Sequence, residues 1–276
     1  MHRSSRSLPS FRCGERWAFA ADSSGYVLPT RGSDHSMKIA TWNMDYWHHR
    51  PTHKQAWDYF LNQTGADFFL FQEGRPKEEM QDDQHLIWRE IGGRRDWGSG
   101  IYSPRFELVE ERIKTGFTGE FVIGNAKVKD QELTLISLYG LMENDGPTKG
   151  YSIPNLHRML SDLTGLFNGH IGGRRNIIMA GDLNASTQLD PIQHNKSHEI
   201  LFDRIRDFGL RDAFELSGNK SHVQTLRHSR SKTPWQNDYC FVSKSLEKKY
   251  VGYEIKDTED VRRFSDHNVL VVEINC

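Results

Sequence analysis

The chain has few cysteines, no long apolar run and almost no net charge. Its three cysteines, Cys13, Cys240 and Cys276, are odd in number and scattered over 276 residues. Neither a disulfide framework nor a cysteine-based zinc site is therefore indicated. No apolar run approaches the roughly 18 residues that a membrane span requires. The formal net charge is −1, so attraction to a polyanion would have to come from local patches. These absences favour a protein of a reducing cytoplasm without a membrane anchor.

The first 36 residues differ in composition from the rest of the chain. They are rich in Ser, Arg and Gly and carry no helical or alternating apolar pattern. Their apolar run at 17–21 is too short for a secretory signal, and Pro29 and Gly32 break any element that begins there. We therefore expect 1–36 to be a disordered or non-native N-terminal extension, and 37–276 to form one folded domain.

Strand-like and helix-like segments alternate after residue 36. Short apolar runs bounded by turn residues predict strands, and one-faced apolar periodicity predicts helices. The predicted strands lie at 38–43, 67–73, 98–103, 106–113, 120–128, 133–139, 176–180, 235–243, 250–255 and 268–274. The predicted helices lie at 52–64, 77–91, 155–167 and 197–208. Turns in the middle and helices at the flanks favour an α/β (α+β) fold, a sandwich of two mixed β-sheets with helices outside.

Polar side chains follow several of these strands. The most informative run is Gly181-Asp182-Leu183-Asn184, directly after an apolar strand. A carboxylate there can hold a hard cation or accept a proton from water, and the amide can donate to an anionic oxygen. Asp and Asn are also common turn residues after a strand. The run therefore indicates a functional site only when other segments support that interpretation. Those segments are TWNMD at 41–45, FQE at 71–73, SLY at 137–139, NDY at 237–239 and SDHN at 265–268.

Taken in this order, the segments resemble the motifs of the endonuclease/exonuclease/phosphatase family. That family includes deoxyribonuclease I, exonuclease III-like AP endonucleases, sphingomyelinases and inositol polyphosphate phosphatases. The resemblance extends from about residue 38 to 274, and the run WGSGIYS at 97–103 is similar to the glycine-rich core strand of the family. The family fold is a four-layered α/β sandwich, which agrees with the arrangement of elements expected above.

The resemblance implies a magnesium site, with Mn²⁺ as a possible substitute. It makes Glu73 the principal ligand, and a carboxylate after so apolar a strand is costly unless it is paired or binds a cation. Asn43 resembles the amide that supports this site, and Asp45 the extra carboxylate of AP endonucleases. Asp266 would bind or support the metal. A strand-end glutamate that reaches water and an ordinary turn asparagine are the alternatives, and for Asp45 both a direct and a water-mediated role stay open.

The same resemblance implies a catalytic set. Asp182 is expected to orient or deprotonate the attacking water, and Asn184 to fix the phosphate or the nucleophile. His267 and Asp238 form the expected pair in which a carboxylate sets the tautomer and raises the pKa of the imidazole. Tyr139 stands where AP endonuclease-like members carry a tyrosine, whose hydroxyl can donate to a phosphate oxygen. A strand-end aromatic that only packs on its neighbours is the alternative for Tyr139.

The sequence indicates the class of substrate less specifically than it indicates the site. Basic residues cluster near the expected rim, and Trp42, Trp47 and Trp235 lie close in sequence to site residues. Such a combination can follow a nucleic-acid backbone and stack on a base, although solvated charges and core tryptophans are the alternative. The segment after Tyr139 lacks the Pro-Asn continuation of AP endonucleases, and Gln236-Asn237 replaces their usual Arg-plus-apolar pair, so specificity for abasic sites is in doubt.

We therefore expect a monomeric Mg²⁺-dependent phosphodiesterase, an endo- or exonuclease that hydrolyses DNA by in-line attack of water. A phosphatase or phosphodiesterase of small or lipid phosphoesters is the rival enzyme, although no amphipathic membrane anchor is evident. A non-catalytic binding module of the same fold would be expected to lack Glu73, Asp182 or His267, and all three are present. For His48, His49 and His53 an exposed loop is favoured over a transition-metal site.

Overall fold

The protein is described by a computed structural model. The described residues are 36–81, 84–142, 152–168, 175–219 and 221–275, together with two short strands near the N-terminus. Those two strands, β1 (Phe19–Ala21) and β2 (Val27–Pro29), pair antiparallel. They belong to a compact unit at Met1–Asp34, and the rest of the chain forms a second unit at His35–Cys276. The expectation that 1–36 is a disordered or non-native extension stays a prediction.

The second unit contains the remaining elements. Its strands are β3 (Ser36–Asn43), β4 (Phe68–Gly74), β5 (Leu86–Gly92), β6 (Arg95–Tyr102), β7 (Val109–Glu110), β8 (Phe121–Val128), β9 (Gln131–Tyr139), β10 (Asn176–Asp182), β11 (Leu210–Asp212), β12 (Asp238–Ser243), β13 (Tyr250–Lys256) and β14 (Val269–Asn275). Its helices are α1 (Tyr46–His49), α2 (His53–Gln63), α3 (Ile153–Asp162), α4 (Thr164–Asn168), α5 (Asp190–Gln193), α6 (Ser197–Asp207), α7 (Ala213–Leu216), α8 (Lys244–Glu247) and α9 (Glu259–Phe264).

Two mixed six-stranded sheets form the centre of this unit. One has the order β13-β14-β3-β4-β6-β5 and the other β11-β12-β10-β9-β8-β7. In each sheet one central pair is parallel, β3 with β4 and β9 with β10. One apolar cluster fills the space between the sheets, a second lies under α3, α4 and α6, and a third lies under α2 and α9. This four-layered sandwich confirms the predicted fold class.

Strand β4 shows how the sequence builds these layers. Its four consecutive apolar residues alternate between two cores, since Phe68 and Leu70 face the other sheet whereas Phe69 and Phe71 face α2 and α9. A strand that is covered on both faces is expected to be apolar throughout. Burial of each such side chain stabilises the fold by about 1.5–3 kcal/mol. The first polar residues after this run therefore emerge at the end of the strand, where both sheets end.

The predicted helix at 77–91 is wrong. The segment forms a short 3-10 turn at Glu78–Met80 and then β5, which pairs antiparallel with β6. The two glycines after this segment form the hairpin turn between β5 and β6, with φ of +88° at Gly92 and +69° at Gly93, values that favour glycine. Strand β5 lies at the edge of its sheet, where charged residues are common, and those charges interrupt the alternation that would indicate a strand.

The predicted helix at 52–64 is confirmed as α2, with Gly65 directly after it at φ +62°. Thr52, directly before α2, does not cap it with its side chain, because its hydroxyl donates to the carbonyl of His49 instead of accepting from a helical N–H. Among the described residues no helix has both the length and the apolar character needed to cross a membrane.

Candidate active site

The polar strand ends of both sheets converge at one edge of the sandwich. In the parallel pair β3–β4 Asn43 stands beside Gln72, and in the parallel pair β9–β10 Tyr139 stands beside Asp182. Strand β12 begins at this edge with Asp238, paired with Asp182. Because the carboxyl ends of parallel strands meet at the same edge, residues far apart in sequence reach one cluster.

Asn43 links the two sheets. Its Nδ2 donates one hydrogen bond to Glu73 Oε1 at 3.0 Å and another to Asp182 Oδ2 at 2.9 Å. Its Oδ1 accepts from the backbone N–H of Asp45 at 3.0 Å. The side chain is only 1% exposed, so water does not compete for these bonds. One neutral amide thereby holds two carboxylates from different sheets near each other.

Asp238, His267 and Asp182 form a buried row. Nδ1 of His267 lies 2.8 Å from Asp238 Oδ2, and Nε2 lies 3.8 Å from Asp182 Oδ2. Burial alone would lower the pKa of His267, but the charges of Asp238 and Asp182 and the hydrogen bond to Asp238 raise it well above its ordinary value. The two carboxylates therefore favour the charged form of the imidazole, which has Nδ1 against Asp238 and Nε2 on the side of Asp182.

The orientation of Asp182 depends on the glycine that precedes it at the end of β10. Gly181 before it has φ +151°, and a Cβ there would lie 1.9 Å from the carbonyl oxygen of Leu138. The carboxylate accepts from Asn43 on Oδ2 and from the backbone N–H of Asn184 on Oδ1 at 2.8 Å. Burial above all raises the pKa of Asp182 to about 7, against the opposing charge of His267. The group is thus oriented on both oxygens and titrates near neutral pH.

Glu73 and Tyr139 form the second part of the cluster. Glu73 follows a register shift of β4 against β6 and has φ +45°, which turns its carboxylate out of the strand. Burial raises the pKa of Glu73, and the hydrogen bond from Asn43 and the charge of His267 oppose this. Burial, together with the charges of Glu73 and Asp182, raises the pKa of Tyr139 well above its ordinary value. Tyr139 is therefore a protonated donor at neutral pH.

Asp45 lies against two histidines and is hydrogen-bonded to one of them, His48. Its Oδ1 lies 2.6 Å from Nδ1 of His48, and its Oδ2 lies 3.0 Å from Nδ1 of His49. This hydrogen bond and the charge of Asp45 raise the pKa of His48. His53 is separate from them, because it is buried at the start of α2 with Nε2 at 2.8 Å from the carbonyl of Arg75. The three histidines therefore form no common site, and His48 and His49 are partners of a site residue rather than a plain exposed loop.

The two remaining predicted residues occupy the periphery of the cluster. Asp266 has a half-exposed side chain with Oδ1 at 3.7 Å from Nε2 of His267. The backbone of Asn184 contacts Asp182, but its side-chain amide donates to the carbonyl of Gly140 at 3.2 Å. Asn184 is thus beside the cluster without a side-chain hydrogen bond to Asp182 or His267 among the contacts described.

Several supporting residues were not predicted as part of the site. Ser265 Oγ donates to the carbonyl of Asn43 at 2.8 Å and accepts from the backbone N–H of His267 at 3.0 Å. Trp42 Nε1 donates to the carbonyl of His267 at 3.0 Å. Thr225 Oγ1 accepts from the backbone N–H of Asp238 at 3.0 Å. Ser265 and Trp42 lie within the segments that resemble the family motifs, so the sequence pointed to their neighbourhood. Thr225 lies in an irregular loop outside those segments, and no sequence pattern pointed to it.

Two groups of residues are candidates for a cation. Asp182, Asp238 and His267 have donor atoms within 4.8 Å of one another, and Nδ1 of His267 is already hydrogen-bonded to Asp238. The other group is Glu73 with the amide of Asn43, whose Nδ2 donates to Glu73 Oε1 at 3.0 Å. Carboxylate oxygens are the hard donors that Mg²⁺ and Mn²⁺ prefer, so the chemistry of Glu73 fits a divalent cation.

Comparisons with known proteins agree with this architecture. The model of the Endonuclease/Exonuclease/phosphatase family matches residues 40–267. The AP endonuclease of Leishmania major has a TM-score of 0.65 and 15% identity, and the match covers 88% of each chain. An AP endonuclease from Archaeoglobus fulgidus has a TM-score of 0.60 and 17% identity, over 86% of this chain and 98% of that one.

A third similar structure is a Neisseria 3′ phosphatase bound to a product DNA hairpin. It has a TM-score of 0.61 and 16% identity, over 87% of this chain and 100% of that one. At such identities the likeness concerns the fold. No curated protein matches the chain in sequence.

Proposed function

Since the chain belongs to the Endonuclease/Exonuclease/phosphatase family, we propose that it is a divalent-metal-dependent phosphodiesterase that hydrolyses DNA by in-line attack of water. The observation that carries the proposal is the double hydrogen bond of Asn43 to Glu73 and Asp182. It joins a carboxylate suited to a cation with a carboxylate suited to proton transfer. A fold without this chemistry would have no need to hold two carboxylates at one buried amide.

Asp182 is the group that accepts a proton from the attacking water. A general base works best with a pKa near the working pH, and the pKa of Asp182 is raised to about 7. Both of its oxygens are oriented, one by Asn43 and one by the backbone N–H of Asn184. The carboxylate therefore presents a defined lone pair to the water, which is the condition for an in-line attack on phosphorus.

His267 is the cation of the site. Asp238 holds its Nδ1 and keeps the ring charged, which leaves Nε2–H as a donor. The 3.8 Å from Nε2 to Asp182 Oδ2 is too long for a hydrogen bond, so a phosphate oxygen can take Nε2–H while the water takes the carboxylate. Tyr139 supplies a second donor for the charge that develops on the phosphate oxygens, and Asn184 remains a candidate donor at the periphery.

A bound Mg²⁺ or Mn²⁺ would neutralise charge on the phosphoryl and leaving oxygens. Glu73 would hold it as the principal ligand, with the amide of Asn43 in support. Asp266 adds a half-exposed carboxylate at the open side of the cluster. Asp45 has both oxygens in contact with histidines, and we propose that it contributes charge, or a ligand through water, rather than a free carboxylate.

DNA is the proposed substrate because the similar structures include two AP endonucleases and a 3′ phosphatase bound to a product DNA hairpin. We test this with the purified chain, in Mg²⁺, Mn²⁺ or EDTA, against plasmid, single-stranded DNA, abasic duplex, a 3′-phosphate duplex, RNA and phosphoinositides. We expect hydrolysis of DNA with either metal and none in EDTA.

Two variants serve as controls in that experiment. His267→Ala should lower the rate by at least about 100-fold while far-UV circular dichroism stays unchanged. Lys127→Ala, an exposed residue of β8, should leave the rate unchanged. A folded wild-type chain that hydrolyses phosphoinositides and no nucleic acid would overturn the DNA assignment, and near-wild-type turnover by His267→Ala would overturn the catalytic one.

A further inference from the structure

Trp47 is an exposed indole beside the candidate site. It is 53% exposed, whereas Trp42 is fully buried and holds the carbonyl of His267. Trp235 is half-buried and donates to the hydroxyl of Ser231. Of the three tryptophans near site residues in sequence, Trp42 is thus a core residue and Trp47 alone presents a large ring to solvent. An exposed indole alone is common on protein surfaces, so the inference depends on what holds this ring in place and what lies beside it.

The position of Trp47 is fixed by Asp45. Helix α1 begins directly after Asp45, and the backbone N–H groups of His48 and His49 both donate to the carbonyl of Asp45, at 3.2 and 3.1 Å. The side chains of the same two histidines contact the Asp45 carboxylate. One turn of chain therefore binds to a site residue through four contacts, and Trp47 lies on that turn.

Arg50 supports the ring. Its guanidinium lies 4.9 Å from the ring centroid of Trp47 and 4.9 Å from that of Tyr46. Asp96 anchors it, accepting from Arg50 on one oxygen at 2.6 Å and from Arg75 on the other at 2.9 Å. Since two arginines share one carboxylate, the group keeps one positive charge. A cation beside an indole that is 53% exposed is a cation–π arrangement that leaves ring surface for a second planar group.

The surroundings of Trp47 favour a nucleobase over a protein partner. A protein interface needs a contiguous apolar patch, but the residues that follow Trp47 are His48, His49 and Arg50. The other exposed large apolar side chains of the described residues lie on other segments, at Val109, Met142, Ile192, Ile200 and Val251. A single aromatic ring with a positive charge beside it is the usual device for a base and its phosphate in single-stranded nucleic acid.

We propose that Trp47, backed by Arg50, is a stacking site for an unpaired nucleobase close to the scissile phosphate. This inference rests on the proposed function, in which the substrate is a nucleic acid. A paired base in a duplex is covered by its neighbours on both faces, so the base that reaches Trp47 comes from a single strand, a frayed end or an extruded position. The site therefore selects DNA with an unpaired nucleotide rather than continuous duplex.

The test measures binding of a fluorescein-labelled single-stranded oligonucleotide by fluorescence anisotropy in EDTA, where gels check that it stays intact. Trp47→Ala should weaken the Kd by about 5- to 100-fold, as expected for loss of one base–aromatic stack. Trp47→Phe retains a ring and should recover most of the affinity. Val109→Ala removes an apolar side chain on β7 that is more exposed than Trp47, and it should stay within about twofold of wild type.

A thermodynamic cycle then identifies the ligand. Each nucleotide in turn is replaced by an abasic tetrahydrofuran residue and measured with wild type and Trp47→Ala. At one position the loss of the base should weaken wild-type binding while Trp47→Ala adds nothing further, because both changes remove the same contact. Additive losses at every position, or an unchanged Kd for Trp47→Ala, would overturn the stacking site.

Hydrolysis separates this proposal from the proposed function. If wild type cuts DNA but the cycle shows no coupling, the stacking site is wrong and the catalytic assignment stands. If the cycle shows coupling but no nucleic acid is hydrolysed with either metal, the stacking site stands and the catalytic assignment is wrong.

Discussion

At the scale of single residues, the candidate site concentrates negative charge. The carboxylates of Asp182, Asp238 and Glu73 meet with one buried imidazole, His267, as the nearest positive group. Burial raises the pKa of Glu73 and of Asp182, so the ionised forms are disfavoured in the folded state. A nearby cation or positively charged ligand would compensate this negative charge and stabilise the ionised carboxylates.

Replacement of Glu73 by Gln should separate activity from stability. Glu73→Gln keeps the shape of the side chain but removes a charge that burial disfavours, so in EDTA the melting temperature should rise by a few degrees. The rate of DNA hydrolysis should fall by at least about 100-fold, because the principal ligand is lost. Mg²⁺ should raise the melting temperature of wild type and leave that of Glu73→Gln unchanged. Equal stabilisation of both proteins by Mg²⁺ would place the cation elsewhere.

At the scale of elements, helix α2 is tied to the end of β4 by one histidine. Nε2 of His53 lies 2.8 Å from the carbonyl oxygen of Arg75, and Nε1 of Trp57 donates to the same oxygen at 2.8 Å. Burial lowers the pKa of His53 to about 4, and the charges of Arg75 and Lys77 add to this. The neutral ring is therefore the form that holds the helix in place.

This histidine should make stability depend on pH. Between pH 6.5 and about 4 the unfolded chain binds a proton that the folded chain does not, so the free energy of unfolding falls as the pH falls through this window. The loss is on the order of 3 kcal/mol when complete. Urea unfolding of His53→Gln should change less between pH 7 and 4.5 than that of wild type, and His228→Gln, at an exposed histidine, should follow wild type. Parallel pH dependence for wild type and His53→Gln would contradict the assignment.

Strand β10 depends on glycine immediately before Asp182. A Cβ at Gly181 would lie 1.9 Å from the carbonyl oxygen of Leu138, at a φ of +151° that L-residues rarely adopt. Gly181→Ala should therefore destabilise the protein by at least about 2 kcal/mol in urea unfolding and lower the rate by displacing Asp182. At Gly165 of α4 a Cβ meets nothing within 4 Å, so Gly165→Ala should be neutral or stabilising. Similar stabilities for the two variants would show that the backbone relaxes freely at Gly181.

At the scale of the whole molecule, the second compact unit begins at His35 and contains both sheets and the site. We predict that a chain starting at His35 keeps the activity and melting temperature of the full chain. A chain starting at Ala40 lacks the buried side chains of Met37 and Ile39 and the pairing of that part of β3 with β14, so its melting temperature should fall sharply. A large loss of activity or of melting temperature in the chain starting at His35 would contradict this prediction and show that residues 1–34 contribute to the fold.

The sequence by itself determined the elements whose patterns are local. The strands around Asn43, Glu73, Tyr139 and Asp182 are apolar runs that end in polar residues. Their alternation with helices predicted the fold class, and the resemblance of their polar ends to family motifs implied the residues of the site. Strand β5 was missed because an edge strand carries charges on its open side and loses its alternation.

Only the tertiary structure decided which of these residues touch. Asn43 and Asp182 are 139 positions apart and share a hydrogen bond, and such a contact leaves no periodic trace in either segment. The burial of Trp42, the exposure of Trp47 and the contact of two histidines with Asp45 are likewise set by what packs above each side chain. Local apolar patterns direct each segment into a layer, but the meeting of the layers determines which polar ends become one site.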